Sequence, residues 1–202
     1  MNSITGIILA GGKSSRFGTD KALLKLGNKT IIEIIAGQLK TVFNEILIIA
    51  NEPDKYFFTG FEIFRDVYLD KGPLAGIHSG LLHSNTARNF FISCDLPLMK
   101  KEMIEYLVAY KTEKPVLLPE DDGKVNYLCG VYNKNCLNKT EELLKNVHNT
   151  KKTGPSMRHF ISQIDAEIIK VDSLTFYSEN IFFNLNTYDD YEYLINNFRL
   201  NI

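Results

Sequence analysis

Cysteine is scarce in this chain, and its spacing argues against two kinds of small stabilised domain. The 202 residues contain only Cys94, Cys129 and Cys136. Three is an odd number, and no pair has the C-x-x-C spacing of structural zinc sites. The sequence therefore predicts neither a disulfide framework nor a zinc site, and its length is sufficient for a well-buried hydrophobic core.

Net charge and long apolar runs are also nearly absent. Lys and Arg total 23 against 24 Asp and Glu, so the formal net charge at pH 7 is −1. A chain this close to neutral has no global field that attracts nucleic acid. No apolar run is long enough to span a bilayer, and no signal peptide precedes the first predicted strand. We therefore expect a cytoplasmic protein that binds neither nucleic acid nor membranes.

The most informative stretch of the chain follows its first apolar segment. Ile4–Leu9 is short and rich in β-branched residues, which is typical of a buried parallel strand. It breaks into Gly11 and Gly12, and the basic residues Arg16 and Lys21 come next. Glycines let backbone N–H groups approach phosphate oxygens, and the two cations add positive charge. This order favours a phosphate-binding loop over a solvated glycine turn, the alternative that the glycines alone leave open.

Two common phosphate-binding motifs are absent from this loop. Gly12-Lys13-Ser14 matches the end of a Walker A motif, but the position that requires the first glycine is Ile7. The glycines at positions 11, 12 and 18 do not fit G-x-G-x-x-G. In addition, the second predicted strand ends in Ala50-Asn51 rather than in an acidic ribose ligand. The loop therefore belongs to another nucleotide-binding type.

Strands and helices alternate along the first half of the chain. Thr30 and Glu33 fit a capping box at the start of an amphipathic helix. Residues 45–50, 61–65 and 90–94 are apolar and predict the second, third and fourth strands. A strand, a helix and a second strand with short connections predict a right-handed βαβ unit and hence an α/β fold.

Two polar side chains directly follow predicted strands. Asn51 follows the second strand, where an amide can donate to and accept from a base or ribose; a turn former before Pro53 is an equal alternative. Asp95 follows the fourth strand, where an α/β enzyme can hold Mg²⁺ against a phosphate. Asp95 could instead cap the next helix, but Pro97 moves that cap nearer to Lys100, where the helix is predicted to begin. The position of Asp95 favours the metal role.

A second glycine-bearing segment precedes the fourth strand. Gly72-Pro73 suits the start of a helix, because proline is tolerated in the first helical turn. Within that helix, Gly76 and Gly80 leave a smooth strip. Two interpretations are open: a ligand lies against this strip, or the helix packs tightly on the sheet.

The second half of the chain is less regular. Residues 115–119 predict a strand, 120–124 a hairpin turn and 125–132 the returning strand. Further along, the patterns predict helices at residues 139–147, 156–164 and 188–198, and a strand at residues 166–171. Either Asn186 or Thr187 would cap the last helix. No linker separates independent domains, so we expect a single domain over residues 1–202.

Four segments of the sequence, in order along nearly the whole chain, carry a family pattern. They are Leu9-Ala10-Gly11-Gly12 continuing through Arg16, Gly18, Asp20 and Lys21; Gly72-Pro73-Leu74-Ala75-Gly76-Ile77; Cys94-Asp95-Leu96-Pro97; and Asn184-Leu185-Asn186-Thr187. Together they resemble the molybdenum cofactor guanylyltransferases, within the wider nucleotidyltransferase-like group. Many nucleotidyltransferases share the first segment, whereas its combination with the other three is much narrower.

This resemblance implies a Rossmann-like three-layer αβα sandwich with a mostly parallel central sheet. The enzyme would transfer GMP from Mg-GTP to molybdenum-molybdopterin, releasing pyrophosphate and forming the guanine dinucleotide form of the cofactor. GTP and molybdopterin would be its small-molecule substrates and Mg²⁺ its cofactor, with transient contact to proteins that deliver or accept the molybdenum cofactor. Residues 1–110 would form the nucleotide-binding half and residues 111–202 the acceptor-binding half.

The resemblance also implies roles for individual residues, carried over by position along the chain. Nucleotide binding is implied for Leu9, Ala10, Gly11, Gly12, Lys21, Asn51, Asp66 and Asp95. A catalytic role is implied for Arg16, Lys21 and Asp95, Mg²⁺ binding for Asp95, and acceptor binding for Asn184 and Asn186. Because the chemistry is in-line attack on the α-phosphorus, such residues mainly position groups and neutralise developing charge.

Two positions depart from the family pattern, and two other functions are alternatives. Tyr188 and Tyr127 stand where the family commonly has proline, both in the half implied to hold the acceptor. A cytidylyltransferase acting on the same cofactor is one alternative, because the amide of Asn51 serves the donor or acceptor edges of either base. The other is a non-catalytic nucleotide-binding regulator. Such a protein would need no metal-binding carboxylate, so Asp95 at the tip of its strand argues against it.

Overall fold

The computed structural model describes residues 3–11, 20–146 and 154–198. Its strands are β1 (Ile4–Leu9), β2 (Lys25–Leu26), β3 (Lys29–Thr30), β4 (Glu45–Ile49), β5 (Glu62–Phe64), β6 (Arg88–Ser93), β7 (Val116–Asp121), β8 (Lys124–Val125), β9 (Cys129–Asn133) and β10 (Ala166–Lys170). Its α-helices are α1 (Ile31–Lys40), α2 (Pro73–His83), α3 (Lys101–Ala109), α4 (Leu137–Lys145), α5 (Met157–Ile161) and α6 (Tyr188–Asn197). None of these described helices is both long and apolar enough to cross a membrane.

One sheet contains strands from both halves of the chain. Its order is β10-β7-β9-β6-β1-β4-β5, with β8 paired to β7, whereas β2 and β3 form a separate ribbon. The pairs β1/β4, β1/β6, β4/β5 and β7/β10 are parallel. Strand β9 runs antiparallel to both β6 and β7, and β8 runs antiparallel to β7. The sheet is therefore mostly parallel, as predicted.

Helices cover both faces of this sheet. Along β1, Ile8 packs in a core with buried residues of α1, α3 and α6. Its neighbours Ile7 and Leu9 pack in a second core with α2, α4 and α5. Successive side chains of a strand point to opposite faces, so β1 contributes to both cores. The result is the predicted three-layer αβα sandwich.

Local sequence signals fix the start of two helices. At α1, the Glu33 N–H donates to Thr30 Oγ1 at 3.4 Å, and the Thr30 N–H donates to Glu33 Oε2 at 2.7 Å. This reciprocal pair is the predicted capping box. At α6, Thr187 rather than Asn186 is the cap, and Asp190 completes a second capping box.

Tight packing explains the glycine strip of α2. A Cβ at Gly80 would lie 2.4 Å from Cε1 of Phe91, and one at Gly76 would lie 3.1 Å from Cδ2 of Leu9. Both neighbours belong to the sheet, so the structure supports the packing interpretation. The close approach holds α2 against β1 and β6.

The returning strand of the second half is interrupted, contrary to the prediction of one strand over residues 125–132. β8 pairs with β7 alone, whereas β9 lies between β7 and β6. Residues 126–128 connect the two and leave the ladder, and the Asn126 N–H donates to the Pro119 carbonyl at 2.9 Å. An apolar pattern cannot show that β9 pairs with β6 as well as with β7, because that pairing joins residues far apart in the chain.

Candidate functional site

The predicted nucleotide residues meet where the strand order of the sheet reverses. β1 lies between β4 and β6, and the carboxyl ends of all three strands share one edge. The Ala10 N–H donates to the Ile49 carbonyl at 2.9 Å, and the Cys94 N–H donates to the Leu9 carbonyl at 3.0 Å. Leu9 and Ala10, which lead into the first loop, are therefore held on both sides by the neighbouring strands. Open α/β sheets bind ligands at this position.

Lys21 and Asp95 form an ion pair at this edge. Lys21 Nζ lies 2.6 Å from Asp95 Oδ1, and it donates to the Leu185 carbonyl at 3.3 Å. The Leu185 N–H in turn donates to the Asp95 carbonyl at 2.9 Å. The two charged side chains are 18% and 22% exposed, so solvent reaches both of them. The pair thus joins the first loop, the end of β6 and the segment that precedes α6.

Asp95 does not cap a helix, and the described residues engage only one of its oxygens. The cap of α3 is Lys100, which makes no side-chain capping bond. Asp95 Oδ1 accepts from Lys21 and, weakly, from the Cys94 thiol at 3.7 Å. Oδ2 accepts no hydrogen bond from the residues that the structure describes. Burial raises the pKa of the Cys94 thiol well above its ordinary value, which argues against a nucleophilic role.

The donor chemistry of Asp95 fits a hard cation held together with a phosphate. Across residues 3–11, 20–146 and 154–198, no three acidic, histidine or cysteine side chains converge into a protein-only metal site. Mg²⁺ commonly takes only one or two carboxylates and completes its shell with phosphate oxygens and water. A single partly exposed carboxylate with a free oxygen is therefore a suitable donor for Mg²⁺ that arrives with a nucleotide.

Asn51 and Asp66 form a second polar pair, on the other side of β1. The chain enters Asp66 from β5 and is then held to α2, because the Val67 N–H donates to Ser79 Oγ at 3.0 Å. Interaction with the Asn51 side chain lowers the pKa of Asp66, which opposes the effect of burial. Burial is the larger effect and raises the pKa of Asp66 to about 6. The Asn51 side chain therefore does more than form a turn before Pro53.

Two acceptor atoms of this pair have no hydrogen-bond partner among the described residues. Asn51 Oδ1 and Asp66 Oδ1 are buried and receive no donor from the described part of the chain. Glycines lie beside both side chains: a Cβ at Gly11 would be 3.7 Å from Asn51 Nδ2, and one at Gly76 would be 3.8 Å from Asp66 Oδ1. Unsatisfied buried acceptors are rare in native proteins and call for an explanation. A ligand with N–H donors would supply one.

A cavity of about 650 Å³ adjoins this edge of the sheet, next to Leu96. Its lining includes Pro73 at the start of α2, Leu96 directly after Asp95, the segment 124–129, the residues Ser156 to Arg158, and Asn184. Tyr127, one of the two departures from the family pattern, also lines it. Lys124 and Arg158 bring positive charge to this lining, and Asp121 brings one negative charge.

The two asparagines implied in acceptor binding have different surroundings. Asn184 lines the cavity. Asn186 belongs to the start of α6, where its N–H donates to Asp190 Oδ2 at 2.8 Å, and its side chain is exposed. Arg16 and Gly12, the remaining residues that the resemblance implied, lie outside the described residues. The structure thus brings together Leu9, Ala10, Gly11, Lys21, Asn51, Asp66 and Asp95 at one edge, with Asn184 in the adjoining cavity.

Sequence reasoning missed one buried residue of this edge. Tyr56 lies in the 3₁₀-helix Pro53–Thr59 and is only 1% exposed. Its hydroxyl donates to Asp20 Oδ2 at 2.7 Å and lies 3.1 Å from the Ala10 carbonyl oxygen. Nothing in the sequence around Tyr56 distinguishes it from an ordinary core aromatic, because both partners are distant along the chain.

Comparisons with known proteins identify relatives of this chain. A family model described as MobA-like NTP transferase domain matches residues 6–165. A protein of Clostridium perfringens strain 13, named probable molybdenum cofactor guanylyltransferase, is 35% identical over 189 residues, which cover 93% of this chain and 94% of that protein. A protein of the same name from Carboxydothermus hydrogenoformans is 35% identical over 202 residues, covering 99% of each chain.

The fold recurs in solved structures. The crystal structure of molybdopterin-guanine dinucleotide biosynthesis protein A from Archaeoglobus fulgidus has a TM-score of 0.79, with 20% identity over 96% of this chain and 97% of that one. At this identity the likeness establishes the fold alone. The family model covers most of the chain, and the curated relatives match it over nearly their whole length. This chain therefore belongs to the family of MobA-like NTP transferase domains and is a nucleotidyltransferase.

Proposed function

We propose that the protein transfers GMP from GTP to molybdenum-molybdopterin and releases pyrophosphate, which forms the guanine dinucleotide form of the molybdenum cofactor. The names of the curated relatives support this assignment, and the chain spans 94% and 99% of the two relatives compared above. The structural observation that carries it is the pair of buried, unpartnered acceptors, Asn51 Oδ1 and Asp66 Oδ1.

The acceptor pair favours guanine over cytosine. Guanine carries an N–H and an NH₂ group side by side, and a carboxylate can accept from both at once, which makes strong charge-assisted hydrogen bonds. Cytosine offers one amino group flanked by an acceptor, which would face the lone pairs of Asp66. The ionised carboxylate accepts hydrogen bonds only, so it pairs with the adjacent N–H groups of guanine and would face an acceptor of cytosine. The cytidylyltransferase alternative fits this side of the site less well.

The Lys21–Asp95 pair suits the triphosphate. In the transfer, an oxygen of the acceptor's terminal phosphate attacks the α-phosphorus in line, the bond to the β-phosphate breaks, and pyrophosphate leaves. Lys21 would exchange Asp95 for a phosphate oxygen and stabilise charge that develops during the attack. Asp95 would hold Mg²⁺ through its free oxygen, and when bound this ion neutralises phosphate charge. From the resemblance, the backbone at Leu9, Ala10 and Gly11, with Gly12 and Arg16, would contact the nucleotide.

The cavity beside Asp95 suits the acceptor. Leu96 lines it directly after Asp95, so an acceptor bound there would present its phosphate close to the nucleotide site. Lys124 and Arg158 supply positive charge for that phosphate, and the Asn184 amide supplies hydrogen-bonding capacity. We therefore infer one domain with a nucleotide-binding half at residues 1–110 and an acceptor-binding half at residues 111–202. Asn186, which the resemblance also implied, would act at the rim through its exposed side chain.

The cellular setting follows from the substrates. GTP and molybdopterin are soluble small molecules, so we propose that the reaction takes place in the cytoplasm. The acceptor and the product are both forms of a cofactor that other proteins deliver or accept, and we propose that such proteins contact the enzyme transiently. These contacts would be made near the cavity mouth, where the acceptor enters.

A pyrophosphate-release assay tests the proposal. The purified protein would be incubated with Mg²⁺, molybdenum-loaded molybdopterin and each of the four nucleoside triphosphates in turn. We expect pyrophosphate release with GTP that depends on the acceptor, and a product whose mass corresponds to the added GMP. Faster release with CTP would overturn the guanine assignment but preserve the enzyme class. Release with GTP that does not require the acceptor would overturn the acceptor assignment.

A further inference from the structure

The hydroxyl of Tyr56 contacts two polar groups that lie on opposite sides of the first loop. Ala10 directly follows β1, and Asp20 begins the next described segment. The Tyr56 hydroxyl has a single proton to donate. Its 2.7 Å hydrogen bond to Asp20 is therefore the stronger of the two contacts, and its 3.1 Å contact to the Ala10 carbonyl is the weaker. Burial, aided by Asp20, raises the pKa of Tyr56 far above its ordinary value, so the group stays a donor.

Asp20 transmits this contact to the next residue. Its Oδ1 accepts from the Ala22 N–H at 3.2 Å and caps the 3₁₀-helix Lys21–Leu23. Its Oδ2 accepts from Tyr56, and Lys55 Nζ lies 4.0 Å away. Both oxygens of Asp20 are therefore engaged, which makes it a structural carboxylate. Lys21 is the first residue of the helix that Asp20 caps, and its ammonium ends 2.6 Å from Asp95.

We propose that Tyr56 is a positioning residue for Lys21. Its hydroxyl fixes Asp20, the Asp20 cap fixes the backbone of the Lys21–Leu23 helix, and the Lys21 ammonium is thereby kept at the sheet edge. The ring of Tyr56 would fill the core equally well as phenylalanine, so the hydroxyl is the group that carries this role. The positioning itself is independent of the substrate, whereas its effect on turnover rests on the proposed function.

Chemical modification of Lys21 tests the positioning directly. In Tyr56→Phe, we expect an amine-acylating reagent to modify Lys21 about fivefold faster than in the parent, as followed by mass spectrometry of the peptides. Lys114, which pairs with Asp165 at 2.8 Å, serves as the internal reference and keeps its rate. Tyr191→Phe is the matched control, because its hydroxyl donates to the Lys25 carbonyl at 2.6 Å. An unchanged Lys21 rate in folded Tyr56→Phe would overturn the proposal.

A second variant keeps the test decisive if Tyr56→Phe folds poorly. Asp20→Asn retains the side-chain shape and a capping oxygen but removes the charge that receives the Tyr56 bond. We expect it to accelerate modification of Lys21 in the same direction, with Lys114 again unchanged. Slow modification of Lys21 in Asp20→Asn, equal to that of the parent, would contradict the proposed route.

A double-mutant cycle then separates positioning from general stability. We expect Tyr56→Phe to lower kcat for GMP transfer about tenfold while the Kd for GTP stays within threefold. In the Lys21→Met background, the same change should cause no further loss, because its effect passes through Lys21. Equal losses in both backgrounds would overturn the proposal. If the parent protein itself transfers no nucleotide, the proposed function fails, and the modification rates still decide the role of Tyr56.

Discussion

Asp66 and Asp95 lie at the same edge of one sheet, but their carboxylates have opposite surroundings. Asp95 is partly exposed and receives the Lys21 ammonium at 2.6 Å. Asp66 has a buried oxygen that receives no donor from the described residues, and its pKa is raised to about 6. The first carboxylate is already compensated, so ligand binding there exchanges one charge partner for another. No described cation compensates the second, so a ligand with N–H donors recovers free energy that folding has lost.

Removing the charge of Asp95 is expected to have the largest effect on turnover. Asp95→Asn should lower metal-dependent GMP transfer by roughly 10³-fold, an effect of the size attributed to lost electrostatic stabilisation of a transition state. Binding of GTP without Mg²⁺ should stay close to that of the parent. Steady-state kinetics and calorimetry at matched Mg²⁺ concentrations measure both quantities. Asp165→Asn, which breaks the exposed pair with Lys114, is the control. Turnover within about threefold of the parent would remove the metal role from Asp95.

The other partner of the ion pair comes next. Lys21→Met keeps the aliphatic stem and removes the ammonium, and kcat should fall by roughly 10²-fold because a donor to the developing charge is lost. The Kd for GTP should rise by only a few-fold, as binding spreads over many contacts. Lys114→Met, which also loses a lysine from an Asp pair, should keep the parental kcat. Equal and modest changes in kcat and Kd would mean that Lys21 only holds the substrate.

Asp66 should instead decide which base binds. Asp66→Asn replaces one acceptor by a donor, so GTP affinity should fall about tenfold or more, the range for a lost hydrogen bond to a charged group. CTP affinity should change by less than threefold, because cytosine does not offer the paired donors. Titration calorimetry with both nucleotides gives the ratio, and Asp54→Asn, an exposed carboxylate, is the control. A parallel loss for GTP and CTP would show that Asp66 does not read the base.

The smallest effects are on stability, and the two carboxylates should differ in sign. The folded-state pKa of Asp66 is about 6, above its ordinary value of 3.8, so the folded protein binds the proton more tightly than the unfolded chain. Its contribution to stability is therefore greatest at low pH and is lost as the pH rises from about 4 to about 6. Asp66→Asn should thus stabilise the protein by about 1–3 kcal/mol at pH 8 and by little at pH 4.

Asp95→Asn should lower the stability of the protein at pH 8 instead of raising it. It removes a partly exposed ion pair and should destabilise the protein by less than about 1 kcal/mol at pH 8. Urea unfolding of the parent and both variants between pH 4 and pH 8 measures the free energies of unfolding. Stabilisation by both substitutions at pH 8 would show that the Lys21 contact does not compensate Asp95.

Much of the architecture could be predicted because it depends on residues that are close together in the sequence. The apolar run of β1 and the Thr30–Glu33 capping box depend only on neighbouring residues, and both are present. The four strands predicted in the first half are observed, and the family motifs identified the nucleotidyltransferase. The prediction of one strand over residues 125–132 was wrong, since β9 leaves the β8 hairpin to pair with β6. Pairing with a distant strand has no local signature.

The candidate site divides in the same way. The motifs nominated Lys21 and Asp95, and the family resemblance added Asn51 and Asp66, which follow the second and third predicted strands. Their assigned roles stay predictions. Sequence could not show that Lys21 and Asp95 pair with each other, that Asp66 keeps a buried oxygen free, or that the Tyr56 hydroxyl reaches Asp20. Local residue patterns thus determined most of the strands, the cap of α1 and the family of this protein. Tertiary structure alone decided which charges are compensated, because burial and partner choice depend on residues that are far apart in the chain and meet only in the folded sheet.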